Sequence, residues 1–260
     1  MEKIAFLGLG RMGLPMARRL AATERPLTVW NRTPGRATGL DVAASPAEAV
    51  RGAGILVTVL ADPAAVDAVA GQVVDALAPG TLWIDMSSIG PDATAALRDR
   101  LPDGVELVDA PVLGSVGPAA TGGLTVLAGG RAEALDRARP VLDTFGRVVQ
   151  CGGPGSGAAL KLVVISAVVG GVALIGEALA LADSLGLPEE LALGALAGGP
   201  LGGAVDRARS QDADFPVRLA AKDLGLAGGG RVLTAVRDLL LAHPDLAEQD
   251  LARLVDAIRR

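Results

Sequence analysis

The run Lys3-Ile4-Ala5-Phe6-Leu7-Gly8-Leu9-Gly10-Arg11-Met12-Gly13 decides the fold. Its first half is a short apolar strand, and its second half spaces three glycines across the entry to the helical stretch Met12 to Ala22. Gly8 permits a tight turn, Gly10 lets backbone approach a pyrophosphate, and Gly13 lets helix pack closely on strand. The N–H groups that open the helix then face an anion. Set between strand and helix, Gly8, Leu9, Gly10, Arg11, Met12 and Gly13 are expected to form a dinucleotide-binding turn. A tight strand-to-helix turn without a ligand is the alternative.

Outward from this turn, β-rich runs alternate with alanine-rich helical ones as far as Gly153. Strands are expected at Lys3 to Gly8, Leu27 to Trp30, Ile55 to Leu60, Thr81 to Met86, Val105 to Asp109, Thr125 to Leu127 and Arg147 to Val149. Helices such as Ala64 to Leu77 and Arg131 to Phe145 separate them, the signature of an α/β doubly wound parallel sheet of Rossmann type. Between Asn31 and the next strand-like residues, Pro34 to Leu40 leaves room for at most two helical turns. After Gly152-Gly153-Pro154-Gly155 no strand pattern recurs. The expected organisation is a dinucleotide domain over residues 1–153 and an all-α domain over 154–260, the latter opening with a long interdomain helix from Gly157 to Leu185, roughly 43 Å in length. Such a helix can join two lobes and still pack on a second copy, so a homodimer is expected.

The second strand ends Trp30-Asn31-Arg32-Thr33, where a carboxylate would hold the ribose hydroxyls of NAD. None is present. Arg32 offers a planar charged fork, and Asn31 and Thr33 offer neutral hydrogen bonds, so NADP is expected over NAD. The plain alternative makes Arg32 a solvated surface charge.

Half of the residues are apolar, enough for a packed core, and a net charge of -5 argues against nucleic-acid binding, which needs a concentrated basic surface. One cysteine, Cys151, and one histidine, His243, make neither a disulfide nor a metal cluster, so no metal is expected. A cytoplasmic setting without export or membrane insertion is expected, since no secretory pattern opens the chain and the uncharged run Leu162 to Gly176 is shorter than the roughly 18 residues of a span. Only three of the 24 basic residues are lysines. Lys161 stands near the start of the long apolar helix, where burying an ammonium is costly. Desolvated, it can give a proton to a carbonyl oxygen during hydride transfer; alternatively its stem covers apolar surface while its head reaches water.

Four segments in order resemble the β-hydroxyacid dehydrogenase family, which includes 3-hydroxyisobutyrate dehydrogenases, tartronate semialdehyde reductases and glyoxylate reductases. They are Gly8 to Met16, Asp85-Met86-Ser87-Ser88, Asp109-Ala110-Pro111-Val112-Leu113-Gly114-Ser115, and Gly155-Ser156-Gly157-Ala158-Ala159-Leu160-Lys161. A fifth, Lys222-Asp223-Leu224-Gly225-Leu226-Ala227, is similar to the family's C-terminal signature. The resemblance implies an NADP(H)-dependent oxidoreductase acting on a small-molecule carbonyl or hydroxy compound, with Lys161 as catalytic proton donor. It implies Leu60, Ala61, Ser88 and Lys222 at the cofactor, and Gly114, Ser115, Phe215 and Asp223 at the substrate. Each has a plain reading: Ser88 caps a helix, Phe215 is core, Asp223 pairs with an exposed arginine.

Two positions depart from the family pattern. Leu113 stands where the substrate loop carries a serine, and Ile165 stands one helical turn after the lysine where an asparagine is usual. Backbone N–H groups of Gly114 and Ser115 can still bind an anion. The less polar pocket favours a more apolar carbonyl or an imine, so an imine reductase-like enzyme and a non-catalytic NADP-binding protein stand as alternatives. Retention of Lys161 counts against the imine reading.

Overall fold

A computed structural model describes residues 2–210 and 213–259. Strand β1 (Ile4–Leu7) is buried throughout, which explains its uninterrupted apolar run. It pairs in parallel with β2 (Leu27–Trp30) on one side and β4 (Ile55–Thr58) on the other. Helix α1 (Gly13–Ala21) connects β1 to β2. Because the chain leaves β1 in one direction and returns to its other side at β4, the carboxyl ends of these two strands border a crevice. Strands β5 (Leu82–Asp85) and β6 (Glu106–Asp109) extend the parallel order beyond β4, with α3 (Pro63–Val73) and α4 (Gly90–Asp99) as crossovers. Alternate β1 residues feed opposite faces: Ile4 and Phe6 join one core with Leu20, Val57 and Phe145, and Ala5 and Leu7 join another with Leu56, Val69 and Trp83.

Two features add detail to the sequence reading. Directly after β2 there is no helix; residues 31–40 form turns, with Leu40 N donating to Ala37 O, the two-residue strand β3 (Asp41–Val42) follows on the edge beside β2, and the short helix α2 (Pro46–Val50) leads from it to β4. The sheet is also mixed rather than wholly parallel. A second two-residue strand, β7 (Val112–Leu113), and helix α5 (Val116–Thr121) lead into β8 (Leu124–Gly129), which runs antiparallel to β6 and β7. The segment joining β7 to β8 is too short for a parallel crossover, so the chain turns back on itself. Helix α6 (Ala132–Leu142) then carries the chain to β9 (Gly146–Gly152), which is parallel to β8.

Beyond β9 every regular element among the described residues is helical: α7 (Ser156–Ser184), α8 (Glu189–Ala197), α9 (Gly202–Arg209), α10 (Val217–Ala227), α11 (Arg231–Leu241) and α12 (Arg253–Ile258), with short 3₁₀ turns besides. The chain forms two compact units, the first ending at Lys161 and the second running from Leu162. In the second, Val169, Val172, Ile175 and Leu179 of α7 pack with Val205, Val217, Leu240 and Leu254. Arg207 grips Asp250 at 3.0 and 3.1 Å, and the same carboxylate accepts from Phe215 N at 2.9 Å, fastening the start of α10. At 29 residues α7 exceeds the uncharged run read from the sequence, and by length and hydropathy it matches a membrane span. Half of its most apolar window is buried inside the protein, as in a core helix.

Candidate active site

At the carboxyl end of β1 the glycines divide their work by sterics. Gly8 has φ +102°, and a Cβ there would lie 2.2 Å from Val59 O; a Cβ on Gly13 would lie 2.0 Å from Gly8 O. Neither position admits another residue without moving backbone. Gly10 is different: a Cβ there meets nothing within 4 Å, so its missing side chain leaves an open approach to the turn. Helix α1 begins at Met12 with no side-chain cap and no acidic residue in its first turn. The turn therefore fits an anionic pyrophosphate. Leu9 is buried, whereas Gly10 and Arg11 are exposed.

Asn31 proves to be a strut. Its Oδ1 accepts from Leu9 N at 2.8 Å and its Nδ2 donates to Thr33 O at 2.8 Å, so its amide binds the glycine turn to the end of β2. Beside it lies a cavity of about 260 Å³ bordered by Leu9, Asn31, Thr33 and Arg36, and next to Gly10 and Arg11 lies a larger cleft of about 800 Å³ that also reaches Arg36. Arg32 is exposed and borders neither. The basic group shared by both spaces is thus Arg36, which the sequence reading missed. Its position depends on the turns that connect β2 to the next strand, which leave no local periodicity to read.

Across the crevice, Leu60 N donates to Ser87 Oγ at 2.9 Å, so Leu60 and Ala61 are held by the segment following β5. Ser87 Oγ donates in turn to Asp85 Oδ1 at 2.7 Å. Asp85 is 1% exposed, and burial pushes its carboxyl up to about 6 despite hydrogen bonds from Thr58 and Ser87. Ser88 lies next to this cluster, half-buried.

The lysine is fixed by local structure on the same unit. Asp109, buried at the end of β6, accepts from Gly155 N at 2.7 Å and Ala158 N at 2.8 Å, so its carboxylate caps α7. Burial raises its pKa, against the lowering effect of these donors. One turn along α7, Lys161 is only 8% exposed, and its Nζ donates to Val112 O at 2.8 Å. The head is turned onto the strand that begins the 112–115 loop, not out into solvent. In that loop Gly114 has φ +128° and a Cβ there would lie 2.7 Å from Leu124 Cδ2, so only glycine fits without shifting its neighbour. Ser115 sits at the N-cap of α5 without a side-chain cap bond.

Residues 3–153 match the model of the NAD binding domain of 6-phosphogluconate dehydrogenase. Over an alignment of 258 residues the chain is 36% identical to the NAD-dependent L-serine dehydrogenase of Pseudomonas aeruginosa, covering 87% of this chain and 84% of that one. It is 35% identical to the 3-sulfolactaldehyde reductase of Escherichia coli, covering 87% and 82%. The solved 3-hydroxyisobutyrate dehydrogenase of Mycobacterium tuberculosis with L-serine superposes over 100% of both chains, with a TM-score of 0.87 and 28% identity. The chain belongs to the β-hydroxyacid dehydrogenase family. It is an oxidoreductase of that family with a nicotinamide-cofactor-binding domain.

In this β-hydroxyacid dehydrogenase the residues expected from the helical unit occupy a compact arrangement of their own. Lys222 and Asp223 pair with each other, Nζ to Oδ1 at 2.9 Å, and Asp223 is buried. That Oδ1 has no hydrogen bond of good geometry, so it receives charge without a directed donor. The plain reading of Asp223 as partner to an exposed arginine is therefore replaced by a pairing with its neighbour. Phe215 is half-buried against the helical core. Ile165 is itself part of that core, and Leu113 is half-buried on β7. Sequence reasoning assigned no role to Asp85, Ser87 or Asp109, although all three lie in the quoted motifs; what each touches depends on neighbouring strands.

Proposed function

We propose that this dehydrogenase uses NADP(H) to interconvert a short carbonyl compound and its alcohol, with Lys161 moving the proton. The observation that supports this most directly is the buried Lys161 ammonium, held 2.8 Å from Val112 O beside the Gly114–Ser115 turn. Burial and this hydrogen bond hold Nζ in one place, from which it can meet a substrate oxygen. When bound, the nicotinamide supplies or accepts the hydride. In reduction Lys161 Nζ protonates the substrate oxygen and stabilises the charge developing on it; in oxidation the neutral amine removes the hydroxyl proton. Backbone N–H groups of Gly114 and Ser115 hold an anionic end of the substrate. Gly8 to Gly13, Leu60, Ala61 and Ser88 would hold the cofactor.

NADP is favoured over NAD because β2 ends without a carboxylate and two arginines, Arg32 and Arg36, stand nearby, the latter bordering both spaces. The relatives' names point to short substrates, among them L-serine and 3-sulfolactaldehyde, each a three-carbon compound that carries a charged group and a primary alcohol or aldehyde. Leu113 in place of a hydroxyl favours a less polar member of that class. A panel of aldehydes, semialdehydes, keto acids and cyclic imines, read by NADPH absorbance with wild type and Lys161→Ala, tests the reading. Aldehyde or keto-acid turnover that vanishes in the variant while NADPH affinity is kept supports it. Turnover confined to cyclic imines, which Leu113 favours, would replace it with an imine reductase, and NADPH binding without any turnover would leave a nucleotide-binding protein.

The working unit we propose is a homodimer in the cytoplasm. Val163, Leu174, Leu181 and Leu185 are between 52% and 67% exposed. At about 100° per residue, these four positions fall within roughly 40° of one another around the helix axis of α7 and its C-terminal end. A second copy would cover that stripe.

A further inference from the structure

We propose that Asp85 is a positioning residue for the cofactor, which, through the hydroxyl of Ser87, fixes the turn at Leu60 and Ala61. The proposal rests on the reading that this turn faces the cofactor. Three donors converge on one carboxyl oxygen, Asp85 Oδ1: Thr58 Oγ1 at 2.7 Å, Ser87 Oγ at 2.7 Å and Ser87 N at 3.3 Å. Each hydroxyl owns a single proton, so donating it to Asp85 turns the lone pairs the other way. Those lone pairs receive Trp83 Nε1–H at 2.8 Å on Thr58 and Leu60 N–H at 2.9 Å on Ser87.

Asp85 thereby dictates the orientation of both hydroxyls and, at one remove, pins the backbone amide of Leu60. The same turn is held at its far end by Asp62, whose Oδ1 accepts from Ala65 N at 2.7 Å to cap α3. Between these two ties the segment from Leu60 to Asp62 has a defined course at the carboxyl end of β4, beside the glycine turn of β1. Removing the acceptor frees the Ser87 proton to seek another partner and leaves the Leu60 amide without its bond. Burying a carboxyl group is costly, and the hydrogen bonds of Asp85 run to Thr58 and Ser87. Its role is carried by the hydroxyls it aims.

Three variants test this, each measured for dinucleotide affinity by fluorescence titration and for kcat at saturating cofactor. Asp85→Ala and Ser87→Ala are expected to weaken binding of NADPH by about tenfold, the equivalent of one lost hydrogen bond, while kcat stays within about twofold. Asp85→Asn keeps an acceptor oxygen in the same place and is expected to restore affinity to within about threefold of wild type. Unchanged affinity in Ser87→Ala would overturn the proposal, as would a loss of kcat with affinity intact. Where Asp85→Ala does not fold by circular dichroism, Ser87→Ala decides, since it deletes one hydroxyl. A wild-type protein that binds neither NADPH nor NADH would instead sink the reading of the site as a whole.

Discussion

Lys161 is buried, and its Nζ donates to Val112 O, which orients it at the start of the 112–115 loop. In the proposed reaction Nζ gives a proton to the substrate oxygen and stabilises the charge that develops there. Lys161→Met is therefore expected to lower kcat by about 10²- to 10⁴-fold, with NADPH affinity within threefold of wild type by fluorescence titration. Beside the glycine turn, Arg36 borders both cavities and Arg32 neither. Arg36→Ala is expected to weaken NADPH by about tenfold while leaving NADH nearly unchanged, and Arg32→Ala to do less; titration of both variants with both dinucleotides measures the difference.

Asp109 shows how an element carries a residue into place. It ends β6, and its two carboxylate oxygens take the amides of Gly155 and Ala158, so the sheet and the first turn of α7 are joined by one side chain. Close packing seals the joint: a Cβ on Gly157 would lie 2.2 Å from Leu127 O. Asp109→Ala removes the cap and leaves its donors unpartnered. Urea titration is expected to show a loss of about 1–2 kcal/mol, accompanied by a lower kcat as Lys161 shifts with the helix. Asn at the same position retains an acceptor and is expected to lose less of both.

For the whole molecule, the buried carboxyl of Asp85 makes stability depend on pH. Its pKa rises from 3.8 to about 6 on folding, so between those values the native protein holds a proton the unfolded chain has released. The stability this group contributes is present below about pH 4 and lost as pH rises through about 6, an effect of the order of 3 kcal/mol. Thermal melts of wild type and Asp85→Asn are expected to diverge in favour of the variant as pH is raised from about 4 to 7. At the same scale, the apolar stripe on α7 is expected to hold two copies together. Leu174→Glu with Leu181→Glu should yield a monomer by sedimentation velocity if that face is the interface; an unchanged sedimentation coefficient would remove α7 from it.

The amino-acid sequence by itself determined the alternation of strand and helix, the glycine turn and the switch to an all-helical second half. These follow from local periodicity and from the steric needs of Gly8 and Gly13, which hold wherever such a turn is built. It also carried the family, because whole motifs stand in order along the chain. Only tertiary structure decided that β8 runs backwards, that residues 31–40 lack a helix, and that Arg36 borders both cavities beside the glycine turn. Likewise, the hydrogen bonds of Asp85, Asp109 and Asn31 join residues brought together by strand pairing and helix docking. Two-residue strands are too short to show a period, and no local rule tells a buried carboxylate which distant amide or hydroxyl will meet it.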